Sequence, residues 1–318
     1  MSHHYTARNV DEITRFLTKD LLRIGSYVHV GRVGRILELR NLCYDIENPR
    51  ERWLSFKSLK QSRIWAYSEV MTEFLGLNPP LMEFYTLDSK VNKFMQSFHR
   101  GDGRANYTYG ERWHNHQCFQ RIVKRLQDDR YSRQAVMNIY DSSIDLDGEE
   151  WNIPCTIMHQ FLIRRDNLDN VDRLHLIVYM RSNDLFKGFK YDTFLNSFIL
   201  EAFAGFLGCD VGTLTFFVGS FHVYEADFSK LEKFVNEEWI TPSQYLLKEN
   251  RPIPFSLGFE ELYTQLWSVK FMEEASRHGQ CAMHEEVERL HPHFKEWANT
   301  YLYWNSRYRN EANRHKTS

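Results

Sequence analysis

Residues 174–203 constrain the fold more than any other part of this chain. Leu174–Tyr179 is an apolar, β-branched run of strand length. Phe194, Leu195, Phe198, Ile199, Ala202 and Phe203 then recur at helical spacing, which predicts a buried helix. Between the two stands Met180-Arg181-Ser182-Asn183-Asp184, followed by Gly188-Phe189 and Asp192. An arginine, a serine and two carboxylates therefore crowd the connection between a strand and a core helix. Polar groups massed where a rigid scaffold turns are the usual setting of a site.

The same alternation of strands and helices runs along the chain. Asn9-Val10-Asp11-Glu12 reads as a capping box ahead of Ile13, Phe16, Leu17 and Leu21, with Gly25 ending that helix. Residues 26–45 read as a loop feeding a strand. Residues 63–76 read as a helix stopped by Gly76, and residues 99–113 as a functional loop. Phe119, Ile122, Val123 and Leu126 mark another helix. Val136–Tyr140 and Thr156–Ile163 read as strands, and Gly212–Tyr224 as a strand with a bulge at Gly219-Ser220. Beyond Pro254 the pattern becomes helical and rich in Glu, Arg, His and Trp. The order is not a clean βαβ alternation, so the expected class is α+β. The expected division is a domain over residues 1–255 and a C-terminal helical extension, 256–318, packed on it.

A hydrophobic content of 42% over 318 residues is ample for a large core. The formal net charge of -2 gives no bulk attraction for nucleic acid, so any anionic ligand must be held by local arginines. Five cysteines with no C-x-x-C pair argue against a disulfide framework or zinc ribbon and for a reducing compartment. The N-terminus lacks an apolar signal core and no apolar run reaches spanning length. The expectation is a cytoplasmic protein with no membrane or nucleic-acid partner and no metal.

Three segments carry chemistry: Ile153-Pro154-Cys155-Thr156, the Arg181–Asp192 stretch, and Gly219-Ser220-Phe221-His222-Val223-Tyr224. A thiol, an arginine/serine pair suited to phosphate oxygens, two carboxylates and a His-x-Tyr make an inventory for covalent work on a nucleotide. A thiol attacks as its thiolate, which nearby positive charge favours. A free Cys before a strand is more often a small buried hydrophobe; the neighbouring segments reverse that judgment for Cys155.

In this order the segments resemble the thymidylate synthase superfamily, with its deoxycytidylate hydroxymethylase branch nearest. The resemblance covers roughly residues 20–250 and implies a thymidylate synthase-like fold, a mixed β-sheet with flanking helices. It implies Cys155 as nucleophile, 26 residues before Arg181. Cys155-Thr156 replaces the Cys-His usual in thymidylate synthases. Arg181 and Ser182 match the phosphate-binding pair. Arg32, in Gly31-Arg32-Val33-Gly34, matches the mobile-loop arginine, with Arg35 as a competing assignment. Arg133 matches the first of two adjacent arginines that reach across a homodimer interface; Gln134 stands at the second. Glu69 matches the glutamate that handles protons and ordered water, with Glu73 one turn on as a comparator expected to be solvated. Tyr109-Gly110 with Trp113 matches the Tyr-Gly-x-x-Trp segment. Asp184 matches the carboxylate near pyrimidine and folate, and His222 and Tyr224 the pair at the sugar 3′-hydroxyl. The folate-stacking tryptophan has no clear counterpart; Phe94 or Met95 falls nearest.

Asp192 occupies the position where thymidylate synthases keep Asn. An amide complements uracil's N–H and carbonyl. Cytosine presents a bare ring nitrogen and an amine, which a carboxyl group matches by accepting from the amine and sharing a proton at the ring nitrogen. The rival reading is that Asp192 caps the following helix. The implied activity is C5-hydroxymethylation of a cytidine monophosphate, dCMP ahead of CMP, with 5,10-methylenetetrahydrofolate as co-substrate. The alternatives are a cytidylate methylase, a thymidylate synthase, and a silent nucleotide-binding homologue.

Overall fold

The computed structural model describes residues 3–30, 34–56, 58–59, 61–78, 104–105, 107–115, 117–146, 153–236, 257–280 and 283–316. In chain order the elements are β1 (His3–Ala7), α1 (Val10–Ile24), β2 (Ser26–Val30), β3 (Gly34–Ile46), α2 (Arg63–Leu75), α3 (Tyr109–Asn115), α4 (Cys118–Asp128), β4 (Val136–Asn138), α5 (Ser142–Asp145), β5 (Thr156–Arg165), β6 (Asp172–Asp184), α6 (Phe189–Phe206), β7 (Asp210–Tyr224), α7 (Phe228–Val235), α8 (Phe259–Arg277), α9 (His284–Glu288) and α10 (Pro292–Lys316). Two compact units result: Met1–Gln61 with Asn115–Ser256, and Ser62–His114 with Leu257–Ser318. The C-terminal helices thus group with residues 62–114, which the change of composition at Pro254 does not reveal.

The first unit is built on a seven-stranded mixed sheet in the order β1-β3-β7-β6-β5-β4, with β2 also paired to β3. The pairs β1·β3 and β6·β7 are parallel and the others antiparallel. The expected α+β class and mixed sheet are what is seen. The parallel pair β6·β7 is joined by a helical crossover, β6–α6–β7. Its helix fills the core as its apolar spacing requires: Phe194, Leu195, Phe198, Ile199, Ala202 and Phe203 are all buried. Phe203 stacks on Phe161 of β5 (4.7 Å) and meets Phe119 of α4 edge-on (5.2 Å). Several polar groups on this helix find partners within the core: Glu201 holds Arg50 and Arg52, and Asn196 binds His159.

Local chemistry explains most boundaries. Asn9 accepts the Glu12 N–H (3.0 Å), but Glu12 accepts from Arg8 N–H rather than Asn9, so only half of the capping box forms. Residues 26–45 are two paired strands rather than a loop and a strand. The five residues of β2 are exposed, so no inward/outward alternation betrays them. The expected bulge at Gly219-Ser220 is absent: β3 and β7 stay in register across it, with Arg40 opposite Ser220 and Leu42 opposite Val218. Gly219 instead permits close approach, since a Cβ there would lie 3.0 Å from the Arg181 carbonyl oxygen. The β7 irregularity falls near Gly212, where the β6·β7 register shifts between Leu174 and Leu176.

In the second unit α10 packs on α2. Trp297 stacks on Tyr67 (4.4 Å) and the Tyr301 hydroxyl meets that of Ser68 (2.7 Å). Tyr109–Asn115, expected as part of a loop, is helix α3. Its Gly110 N–H donates to the Glu73 carboxylate, and a Cβ at Gly110 would lie 2.3 Å from the Glu73 carbonyl oxygen. Backbone cannot yield as a flexible side chain does, so Gly110→Ala should cost at least ~2 kcal/mol of stability. Thermal unfolding of the variant checks this, and an unchanged Tm would contradict the packing.

Candidate active site

Strand pairing gathers the central candidates. Antiparallel β5·β6 sets Cys155 beside Arg181, whose N–H donates to the Cys155 carbonyl (2.9 Å). A register shift between Thr156 and Met158 follows at once, a bulge of the kind that re-aims a side chain beside a site. The Arg181 guanidinium donates from Nε to Pro154 O and from Nη2 to Ile153 O, both at 2.9 Å, and its Nη2 lies 3.6 Å from Cys155 Sγ. The arginine thereby fixes the Pro154-Cys155 segment, and its Nη1 makes no hydrogen bond among the described residues. Burial pushes the half-buried Cys155 thiol up. Arg181 opposes that shift, while the carboxylates of Asp192 and Asp184 add to it. The positive charge expected beside the thiol is present but outweighed, so the thiol is the resting form.

Parallel β6·β7 pairs Ser182 with Ser220 and Asp184 with His222, at the carboxyl ends of both strands. Such ends, beside a crossover helix, are where open sheets bind ligands. Asp184 is 8% exposed. Its Oδ1 accepts the N–H groups of Phe186 (2.9 Å) and Lys187 (2.5 Å), while Oδ2 is buried without a partner among the described residues. Burial raises it to about 6 against the pull of Lys187. His222 is buried, and burial lowers its pKa, so it is neutral near pH 7. Its Nδ1 faces the Ser220 carbonyl at 3.4 Å. A carbonyl can only accept, so Nδ1 carries the proton and Nε2 is left as an acceptor. The Tyr224 ring stands edge-on to His222 at 4.9 Å, and Lys187 Nζ lies 3.9 Å from the Tyr224 ring centre.

Asp192 sits within the first turn of α6 and its N–H donates to Gly188 O (2.9 Å). Gly188 is the N-cap and no side chain caps the helix. The helix-cap reading of Asp192 is therefore overturned: the residue lies inside the helix with its carboxyl group buried. Burial, then the nearby Asp184, raises it to about 7. Asn196 donates to the Asp192 carbonyl (2.8 Å), and the Asn196 Oδ1 is bound by His159 Nε2 (2.6 Å). Burial lowers His159 to about 4, so this buried imidazole is neutral.

Cys155, Arg181, Ser182, Asp184, Asp192, His222 and Tyr224 thus belong to one end of the central strands. Arg133 is exposed before the edge strand β4, its carbonyl accepting from Gln160 (3.1 Å). Arg35 pairs with Glu225 (2.7 Å) and lies over Tyr27. Arg32, Phe94 and Met95 lie outside the described residues. Glu69 and Tyr109 belong to the second unit, each half-buried. Glu73, expected to be solvated, is the buried one: 8% exposed, raised to about 8 by burial, and bound by the Gly110 N–H. Sequence reasoning also passed over Tyr44, whose hydroxyl is buried without a partner among the described residues and whose ionisation is suppressed by burial and by Asp192. Its place in β3 follows only from pairing with β7, and nothing local signals it. No described helix is long and apolar enough to cross a membrane.

The sequence profile of the family described as thymidylate synthase matches residues 52–262. A protein of Methanococcoides burtonii, provisionally named a thymidylate synthase, is 26% identical over 66% of this chain and 84% of its own. The deoxyuridylate hydroxymethyltransferase of Bacillus phage SP01 is 29% identical over 62% of this chain and 52% of its own. The thymidylate synthase of Streptococcus mutans is 22% identical over 62% of this chain and 66% of its own.

Proposed function

The chain belongs to the thymidylate synthase family, and on that premise we propose that it hydroxymethylates C5 of a cytidine monophosphate, dCMP ahead of CMP, with 5,10-methylenetetrahydrofolate as co-substrate. The observation that carries the base assignment is Asp192: a buried carboxyl group that caps nothing, at the end of the sheet that holds Cys155. Ionised, it offers acceptors to the cytosine amine and to a proton shared with the ring nitrogen. Protonated, it donates that proton. The phage relative named a deoxyuridylate hydroxymethyltransferase supports hydroxymethyl as the group transferred. Its name also favours a second reading, deoxyuridylate as the substrate.

In this proposal Arg181 Nη1 and Ser182 hold the phosphate, with Arg32 as a further phosphate ligand and the Arg133 of a second copy reaching in. The half-exposed sheet face, where Tyr179 stacks on Phe217 (5.1 Å) and Phe217 is 40% exposed, supports a homodimer. His222 Nε2 accepts from the sugar 3′-hydroxyl beside Tyr224. Cys155 adds to C6, making C5 nucleophilic. Bound methylenetetrahydrofolate would supply a one-carbon unit at the oxidation level of formaldehyde. The partnerless Asp184 Oδ2 suits an N–H of its pterin, and Phe94 is the candidate for its ring face. By the family resemblance, Glu69 and Tyr109 are assigned the ordering of water and protons. The C5 proton would leave and tetrahydrofolate would be released, giving an exocyclic methylene on the ring; water then adds to that carbon as Cys155 departs, and hydride from the folate in place of water would give a methyl group.

Release of labelled hydrogen from C5 tests the proposal. With methylenetetrahydrofolate, label should leave dCMP faster than dUMP. Release from dUMP alone would instead establish the second reading.

A further inference from the structure

Resting on the cytidylate reading, the geometry points to Asn183 as a further specificity-determining residue: its side-chain carbonyl accepts the second N–H of the cytosine 4-amino group, the first going to Asp192. Asp192 favours cytosine over uracil but does not by itself exclude uracil. A protonated carboxyl group presents O–H and C=O in either order, and so can pair with cytosine or, turned over, with uracil's N–H and carbonyl. A fixed acceptor beside it removes that ambiguity.

Asn183 supplies such an acceptor. It is 2% exposed, at the carboxyl end of β6. Its Nδ2 donates to the Met180 sulfur at 3.2 Å. A thioether can only accept, so the amide is held with its oxygen turned away from Met180. That Oδ1 is buried and has no partner among the described residues. An unmet buried acceptor costs free energy unless something donates to it.

Gly188 shows what the oxygen faces. A Cβ built there would lie 2.8 Å from Asp192 Oδ2, 3.2 Å from Asn183 Oδ1 and 3.7 Å from the Asp184 backbone nitrogen. Oxygens of Asp192 and Asn183 thus converge on the Cβ side of Gly188, and the Asn183 oxygen has no donor among the described residues. An amino group has two N–H bonds and meets both. Uracil's carbonyl would place a third acceptor against Asn183, so the same atom that favours cytosine opposes uracil.

The test is nucleotide binding to the full-length protein by calorimetry, with three probes: dCMP, dUMP and the 2′-deoxyribonucleotide of pyrimidin-2-one, which lacks the exocyclic group. Asn183→Leu, nearly isosteric, should weaken dCMP by about tenfold or more, the effect of unpairing one buried polar group. The pyrimidin-2-one nucleotide should change little and dUMP should bind relatively better. Asn183→Ala, which relieves packing as well, should show the same order of effects if the leucine variant fails to fold. A wild type without preference for dCMP over dUMP would overturn the base reading and this inference together. A wild type that prefers dCMP, with both variants retaining that preference undiminished, would leave the base reading standing and refute the role of Asn183.

Discussion

Cys155→Ala should abolish turnover while leaving the Kd for nucleotide within a few-fold of wild type. In the proposed mechanism the thiolate forms a bond to the ring, whereas affinity rests on phosphate and sugar contacts of Arg181, Ser182 and His222, none of which needs the thiol. Removing a covalent nucleophile takes away the only route to an activated C5, so the loss should span several orders of magnitude. Binding should survive because Arg181 is anchored by the carbonyls of Ile153 and Pro154 and not by the sulfur alone. C5-hydrogen release and calorimetry on the same preparation measure the two quantities. Release at the wild-type rate would remove Cys155 from the chemistry. Loss of binding together with release would mean that the thiol shapes the phosphate site.

Asp192→Asn should shift the base preference away from cytosine, lowering kcat/KM for dCMP by at least ~1–3 kcal/mol in transition-state terms while raising the relative use of dUMP. An amide cannot share a proton with the ring nitrogen. The same variant carries a stability signature. Burial raises Asp192 to about 7, well above the usual carboxylate range. The folded protein therefore holds this proton more tightly than the unfolded chain does. Stability is greatest where both forms are protonated, below about pH 4, and declines as pH rises toward 7. Asparagine has no such proton. The variant should therefore match the wild type near pH 4 and exceed it by up to a few kcal/mol at pH 8, as urea unfolding across that range would show. Parallel curves would contradict a buried, high-pKa carboxyl group.

The elements around the site were legible because their residues obey one strong pattern. α6 shows its apolar face at helical spacing, and β5, β6 and β7 are runs of apolar and β-branched residues. The weaker elements broke such patterns: β2 is exposed throughout, and α3 is a short helix in a stretch rich in Gly and polar residues. Local spacing placed Arg181, Ser182, Asp184 and Asp192 in one connection, but could not distinguish a cap from a buried carboxyl group, since Asp serves as either. The start of α6 at Phe189 decides it. Burial set by distant contacts was invisible. Glu73 and Glu69 share a helix one turn apart, and only the approach of Gly110 shows which of them loses its water. Tyr44 and Asn183 acquire meaning from strand pairing and from the gap at Gly188, neither of which leaves a mark in local sequence.

The most direct measurement is the mass of the product formed when the purified protein is given dCMP, CMP or dUMP with methylenetetrahydrofolate. The account predicts a cytidine monophosphate heavier by one CH2O unit, formed from dCMP faster than from CMP, with dUMP the poorer substrate. A methyl group on the cytosine ring would replace water by hydride in the last step. Products from dUMP alone would contradict the claim that the buried carboxyl group of Asp192 reads cytosine.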